Sequence, residues 1–157
     1  MRRKDREVTE LSQLEKIIRK CDCIHLGLLD GDYPYVVPMN FGYERTGDQF
    51  TFYMHAASEG KKLELIKAHP QASFCMDTGH ELVKGEAPCS WSFRYESVMG
   101  QGELTQVQDP GEKRHGLQTV MEHYSGSKAP VEFPDEMMRR VVILKLNAKN
   151  LTGKQHK

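Results

Sequence analysis

Two apolar runs, Cys23 to Leu29 and Tyr33 to Tyr43, stand on either side of Asp30-Gly31, and this connection constrains the fold more than any other feature of the sequence. A turn this short joins antiparallel neighbours, because a parallel return needs a crossover of a dozen residues or more. The alternation of turn and strand continues along the chain. Glu44 to Asp48 reads as a second turn, Gln49 to His55 as a third strand and Ala72 to Asp77 as a fourth, followed by a polar loop from Thr78 to Pro88. Ser90 to Gln106 is long enough for one bent strand or two, with Gly100 and Gly102 marking a bulge or sharp bend. Val141 to Leu146 is a final apolar strand, and Leu151-Thr152-Gly153-Lys154 closes the chain. Pro34 and Pro38 fall within the return strand, at positions that must not need an N–H in the ladder.

Three helices separate these strands. Ser12 and Glu15 form an S-x-x-E capping box, and Leu11, Leu14, Ile17, Ile18 and Cys21 recur at helical spacing, giving about three turns. A second helix runs from Lys61 and stops at His69-Pro70, where the residue before proline is driven out of the helical region. Asp109-Pro110 opens a third, which carries Leu117, Val120, Met121 and Tyr124 inward. Ser125 to Glu136 is a turn-rich connection containing two prolines. No repeat, linker or low-complexity tract interrupts the pattern. The expectation is a mainly β chain with decorating helices: six or seven short strands in a small antiparallel barrel, one domain over residues 1–157.

Composition narrows the function. A chain of 157 residues can bury a core without staples. Twenty-two basic residues balance twenty-two acidic ones, so no overall field draws it to nucleic acid or anionic lipid. No apolar run approaches a membrane span, and the charged start MRRKDREVTEL does not read as a signal peptide. The cysteines are Cys21, Cys23, Cys75 and Cys89; a C-x-C pair has neither zinc nor redox-motif spacing, so free thiols in a reducing cytoplasm are expected.

The stretch FYMHAASEGKKLELI, Phe52 to Ile66, carries the chemistry. An aromatic-rich strand end meets a small polar turn that opens a helix with two adjacent lysines. Ser58 can cap, Gly60 lets the backbone come close, and Lys61 and Lys62 bring positive charge to free amides and the helix dipole. Together these make a seat for a phosphate. Neither GxxxxGK[ST] nor GxGxxG is present, and a solvated lysine pair is the competing reading. Adjacent helical residues face different ways, so Lys62 is the preferred contact with Lys61 close behind.

Four segments in order, YPYVVPMNFGY, FYMHAASEGKKLELI, CSWSFRYESVMGQGEL and EKRHGLQTVMEHY, resemble the pyridoxamine 5′-phosphate oxidase-like flavoproteins, whose fold is an FMN-binding split barrel. The branch most resembled is that of the nitroimidazole-resistance proteins, with the likeness running from Val8 to Lys154. The resemblance implies FMN as cofactor, a homodimer with the cofactor at the interface, and a small-molecule substrate. It implies that Val37, Pro38, Met39 and Asn40 lie along the isoalloxazine and that Ser58, Lys61 and Lys62 hold the phosphate. It also implies that the segment around Tyr95, Glu96 and Ser97 returns toward phosphate or ring, in some relatives from the second subunit. The tail LNAKNLTGKQHK has no arginine where pyridoxamine phosphate oxidases proper hold the substrate phosphate, which argues against vitamin B6 oxidation.

His55 has two readings: a residue over the reactive face of the flavin that bonds substrate or donates a proton, as the resemblance implies, or a histidine that ties the turn together. Trp91 reads as a core or dimer-interface aromatic or as a ring-stacking residue. Arg45 and Arg94 read as surface ion pairs or as charge for a ligand, and the methionines as core filler. No HxxxH or HExxH supports a metal site. Two functions follow. One is a flavin-dependent oxidoreductase of small molecules, possible substrates including nitroimidazole-type nitroaromatics. The other is a non-catalytic flavin- or haem-binding carrier or sensor, in which His55 or His25 would be the axial ligand. Related split barrels also bind a deazaflavin, so the choice among FMN, haem and deazaflavin stays open in the sequence.

Overall fold

A computed structural model describes residues 2–156. Along the chain come β1 (Glu7–Val8), α1 (Leu11–Lys20), β2 (Ile24–Asp30), β3 (Tyr33–Met39), β4 (Phe41–Thr46), β5 (Gln49–Ala57) and α2 (Lys61–Ala68). There follow β6 (Gln71–Val83), β7 (Ser92–Gln106), α3 (Pro110–Ser125), α4 (Asp135–Arg140) and β8 (Val141–His156), with single 3-10 turns at Lys4–Arg6 and Pro88–Ser90. All strand pairings are antiparallel, in the order β3-β2-β6-β7-β8-β5-β4, with β1 added beside β8.

The described residues form eight strands rather than six or seven, and the physical reason lies at Asn40. The run from Tyr33 to Tyr43 is not one strand. Up to Met39 it pairs with β2, and from Phe41 it pairs with β5. Since β3 and β4 are the two ends of the strand order, Asn40 carries the chain from one edge of the curled sheet to the other, and the barrel stays split there. The Tyr124 hydroxyl pins this crossing. It accepts from the Asn40 side-chain amide and the Phe41 N–H, both at 3.1 Å, and donates to the Asp22 carbonyl at 2.7 Å, which uses its one donor and both lone pairs. The other added strand is the two-residue β1.

The barrel interior holds Leu26, Leu28, Phe41, Phe50, Phe52, Met54, Phe74, Met76, Leu104 and Leu146, and α1 adds Leu14, Ile17 and Ile18. A second cluster lies outside the sheet, where Leu117 and Val120 of α3 and Met138 of α4 cover Tyr53 and Ile143. α3 lies so close to β4 that a Cβ on Gly42 would come within 2.3 Å of the Thr119 carbonyl oxygen.

Several local expectations are corrected. α1 starts at Leu11 with Glu10 as its cap residue, so Ser12 sits inside the first turn and caps nothing; Glu15 turns instead to Arg45 at 3.0 Å. The two residues between β2 and β3 are Gly31 and Asp32, one position later than Asp30-Gly31. Met121 and Tyr124 are exposed rather than inward, because the face of α3 against β4 and β5 is set by Gly116, Leu117, Thr119 and Val120. The polar segment after Thr78 is not all loop: past a register shift, Glu81, Leu82 and Val83 pair with Arg94, Phe93 and Ser92 in an extended arm. Gly100 does sit at a break in register, between Met99 and Gln101, and β8 runs on to His156.

Candidate functional site

β5 delivers the chain to the edge of the barrel at Ala57, and Ser58, Glu59 and Gly60 turn it into α2. Gly60 has φ 132° and ψ 160°, a conformation that L side chains rarely adopt, although a Cβ there would touch nothing within 4 Å. The backbone path, rather than crowding, requires glycine. No side chain caps the first turn of α2 among the described residues, which leaves amide donors at the positive end of the helix dipole. Lys61 forms an ion pair with Asp30 at the end of β2 and lies 5.5 Å over the Tyr35 ring. The Asp30 carboxylate raises the pKa of that ammonium. Lys62 is half-buried and has no anionic partner among the described residues. The donor set at this turn, with the exposed Ser58 hydroxyl beside it, matches a phosphate dianion in charge and in hydrogen-bonding sense.

β3 links this turn to His55. Its Tyr35 lies under Lys61, and its far end reaches Asn40. Phe41 pairs with Met54, so Asn40 and His55 each lie one residue along the chain from that pair. Tyr35 to Asn40 spans about 17 Å of extended chain. Along it Val37 is half-buried and Met39 buried toward the core, while Pro38 and Asn40 are exposed. With β2 as its one neighbour among the described residues, β3 offers unpaired main-chain groups along its other side. Ser58, Lys61 and Lys62 thus belong to the turn that meets Tyr35, and Val37, Pro38, Met39 and Asn40 run from there along an edge strand toward the Phe41–Met54 pair next to His55.

Tyr95 and Ser97 do not join them within a single chain. Both are on β7, with β2 and β6 between it and β3. Tyr95 lies beneath Lys154, whose hydrogen bond lowers the pKa of the phenol, and beside His156. Ser97 stands between Asp77 and Lys154 in the sheet register.

His55 is exposed on the outer side of β5 and borders a cleft of about 560 Å³. The other wall is α4 and its flanks, including Pro134, Met137, Arg140 and Val141. Arg140 holds Glu136 at 2.7 Å, one turn back on the same helix. This wall was invisible in the sequence, where Met137 read as filler and residues 125–136 as a connection; six helical residues are too few to show a period. The lysine partner Asp30 was legible only as a turn residue.

The remaining candidates have defined partners. Arg45 meets Glu15, Arg94 meets Glu81 at 2.9 Å, and His115 meets Glu44 at 2.6 Å. His123 lies 4.4 Å from Phe41, ring to ring, and its Nε2–H donates to the Cys21 carbonyl at 2.7 Å; burial lowers its pKa. The Trp91 indole donates to the Gly85 carbonyl, and burial pushes the Cys21 thiol up to about 12.

The profile of the family described as pyridoxamine 5′-phosphate oxidase matches residues 10–155. No curated protein matches the chain. Among solved structures, a protein of Bacteroides thetaiotaomicron described as a candidate 5-nitroimidazole antibiotic resistance protein is 35% identical, with a TM-score of 0.81 over 95% of this chain and 86% of that one. A flavocytochrome from Azotobacter vinelandii has a TM-score of 0.80 at 17% identity over 100% of this chain and 72% of its own, a likeness of fold alone. The same holds for an FAD- and haem-binding protein from Mycobacterium smegmatis, with a TM-score of 0.80 at 18% identity over 97% of this chain and 74% of that one.

Proposed function

The chain belongs to the pyridoxamine 5′-phosphate oxidase family, and from that premise we propose that it is an FMN-dependent oxidoreductase of small molecules, with nitroimidazole-type nitroaromatics as the substrate class. The observation that carries this reading is the turn at Gly60: an uncapped helix start, a glycine-only backbone, a half-buried Lys62 with no anionic partner among the described residues, and Lys61 over Tyr35 of the edge strand β3. That is a phosphate seat with a strip long enough for a flavin running from it toward His55. When bound, the flavin supplies the hydride or electron transfer. Lys62, the first amides of α2 and Ser58 hold the phosphate, with Lys61 joining when it leaves Asp30. The main chain of Val37 to Asn40 meets the polar edge of the ring. His55 donates a proton to a substrate oxygen that leaves as water.

A homodimer completes this reading. Leu29 is 54% exposed, Val36 61% and Tyr33 80%, on and beside the strand that would carry the ring, and Leu82, Trp91 and Phe93 stand out on the β6–β7 arm. A second copy of the chain would cover these side chains and bring its Tyr95 and Ser97 toward the cofactor. No helix among the described residues is long and apolar enough to cross a membrane.

The test is to release the cofactor from purified protein by heat and identify it by mass. FMN, with a flavin absorption spectrum before release, is the expected outcome. A sharp Soret band with no flavin would put the haem carrier in its place.

A further inference from the structure

We propose that the cleft between His55 and α4 is a substrate subsite that selects small planar molecules bearing an anionic group, with Arg140 as the selecting residue. The proposal rests on the flavin reading for its place beside the reactive edge. It does not rest on that reading for its chemistry.

The backbone fixes where Arg140 lies. Ala57 pairs with Val141 and His55 with Ile143, so Arg140, the last residue of α4, stands one residue before the first paired residue of β8, at the end of the strand that carries His55. The two side chains border one cleft of about 560 Å³. Between them its walls are apolar: Ala57 on one side, Pro134, Met137 and Val141 on the other. Met137 is 44% exposed, so its side chain is free to meet a ligand. An apolar slot with a few convergent polar groups is the common form of a small-molecule site.

The charge at its end is already engaged by a carboxylate. Arg140 Nη2 donates to Glu136 Oε1 at 2.7 Å, with side chains 79% and 68% exposed. A pair this exposed holds weakly, whereas a guanidinium takes a planar carboxylate through two parallel N–H donors. Glu136 thus holds the place of the anion and competes with it. From this follows a pattern that no scaffold role for Arg140 would give: removing Arg140 and removing Glu136 must act in opposite directions.

The test is to titrate purified protein, with whatever cofactor it retains, with 4-nitrobenzoate and with its neutral counterpart 4-nitrobenzamide at fixed ionic strength. Binding is read from the ring C–H resonances of His55, assigned by their loss in His55→Gln. The carboxylate should move those resonances and bind about tenfold or more tightly than the amide, as one charge-assisted contact allows. Arg140→Gln should bring the two ligands to equal affinity without weakening the amide, and Glu136→Gln should widen the gap. Equal affinities in the wild type, a preference that survives Arg140→Gln, or unmoved His55 resonances would each overturn the proposal. Protein that lacks flavin yet keeps an Arg140-dependent preference sustains the subsite and defeats the flavin reading. Flavin-loaded protein with no preference does the reverse.

Discussion

Lys61 and Lys62 differ less in chemistry than in what each is tied to. Lys61 already pairs with Asp30, so its charge is partly spent, while the half-buried Lys62 has no such partner among the described residues. The lysine pair and Gly60 could be read in the sequence because a helix start is a local event. Asp30 and Arg140 could not, since Asp30 meets Lys61 only where α2 packs on β2 and Arg140 reaches the cleft only through the pairing of β5 with β8. His55 lies between these two kinds: its place at a strand end was legible, the cleft beside it was not. A histidine is a weaker phosphate anchor than a lysine ammonium, and it is the side chain most often used to move a proton in catalysis. His55→Ala should therefore keep its flavin and lose about a hundredfold or more in the rate of nitroimidazole reduction by the dithionite-reduced protein, followed by substrate absorbance. Loss of the flavin would make His55 a cofactor residue, and unchanged turnover would make it a bystander.

Among the elements, the hairpin of β2 and β3 and the helix α2 were legible because short turns and proline stops act through neighbouring residues. The break at Asn40 was not. Nothing local interrupts YPYVVPMNFGY; the strand divides because its two halves find different partners, and Tyr124 holds the division from another element. The β6–β7 arm was hidden for the opposite reason, since a ribbon solvated on both sides has a loop's composition. The seating of α3 on β4 is the tightest contact between elements at this edge, backbone against backbone at Gly42. Gly42→Ala should destabilise the fold by about 1–3 kcal/mol, because neither main chain can yield as a side chain would. Urea unfolding measures it, and an unchanged midpoint would show that α3 can move away freely.

For the whole molecule, antiparallel strands and a mainly β barrel followed from turn spacing, and the order of four segments pointed to the family that the profile match shows. A single chain leaves the proposed cofactor strip open, with apolar side chains on and near β3 uncovered. Patches of this kind mark interfaces, and a two-fold pair is the simplest closed solution. Sedimentation at micromolar concentration should give a dimer that carries flavin. A flavin-loaded monomer would mean that β3 and its neighbours close the site alone.

On the proposed reading, the α2 turn holds the phosphate of a flavin mononucleotide. Comparing FMN with riboflavin, which lacks only that phosphate, tests it most directly in protein stripped of cofactor. The wild type should bind FMN roughly ten- to a hundredfold more tightly than riboflavin, and Lys61→Ala with Lys62→Ala should abolish most of that difference while leaving riboflavin affinity unchanged. Equal affinities in the wild type, or a full preference for FMN in the double variant, would contradict it.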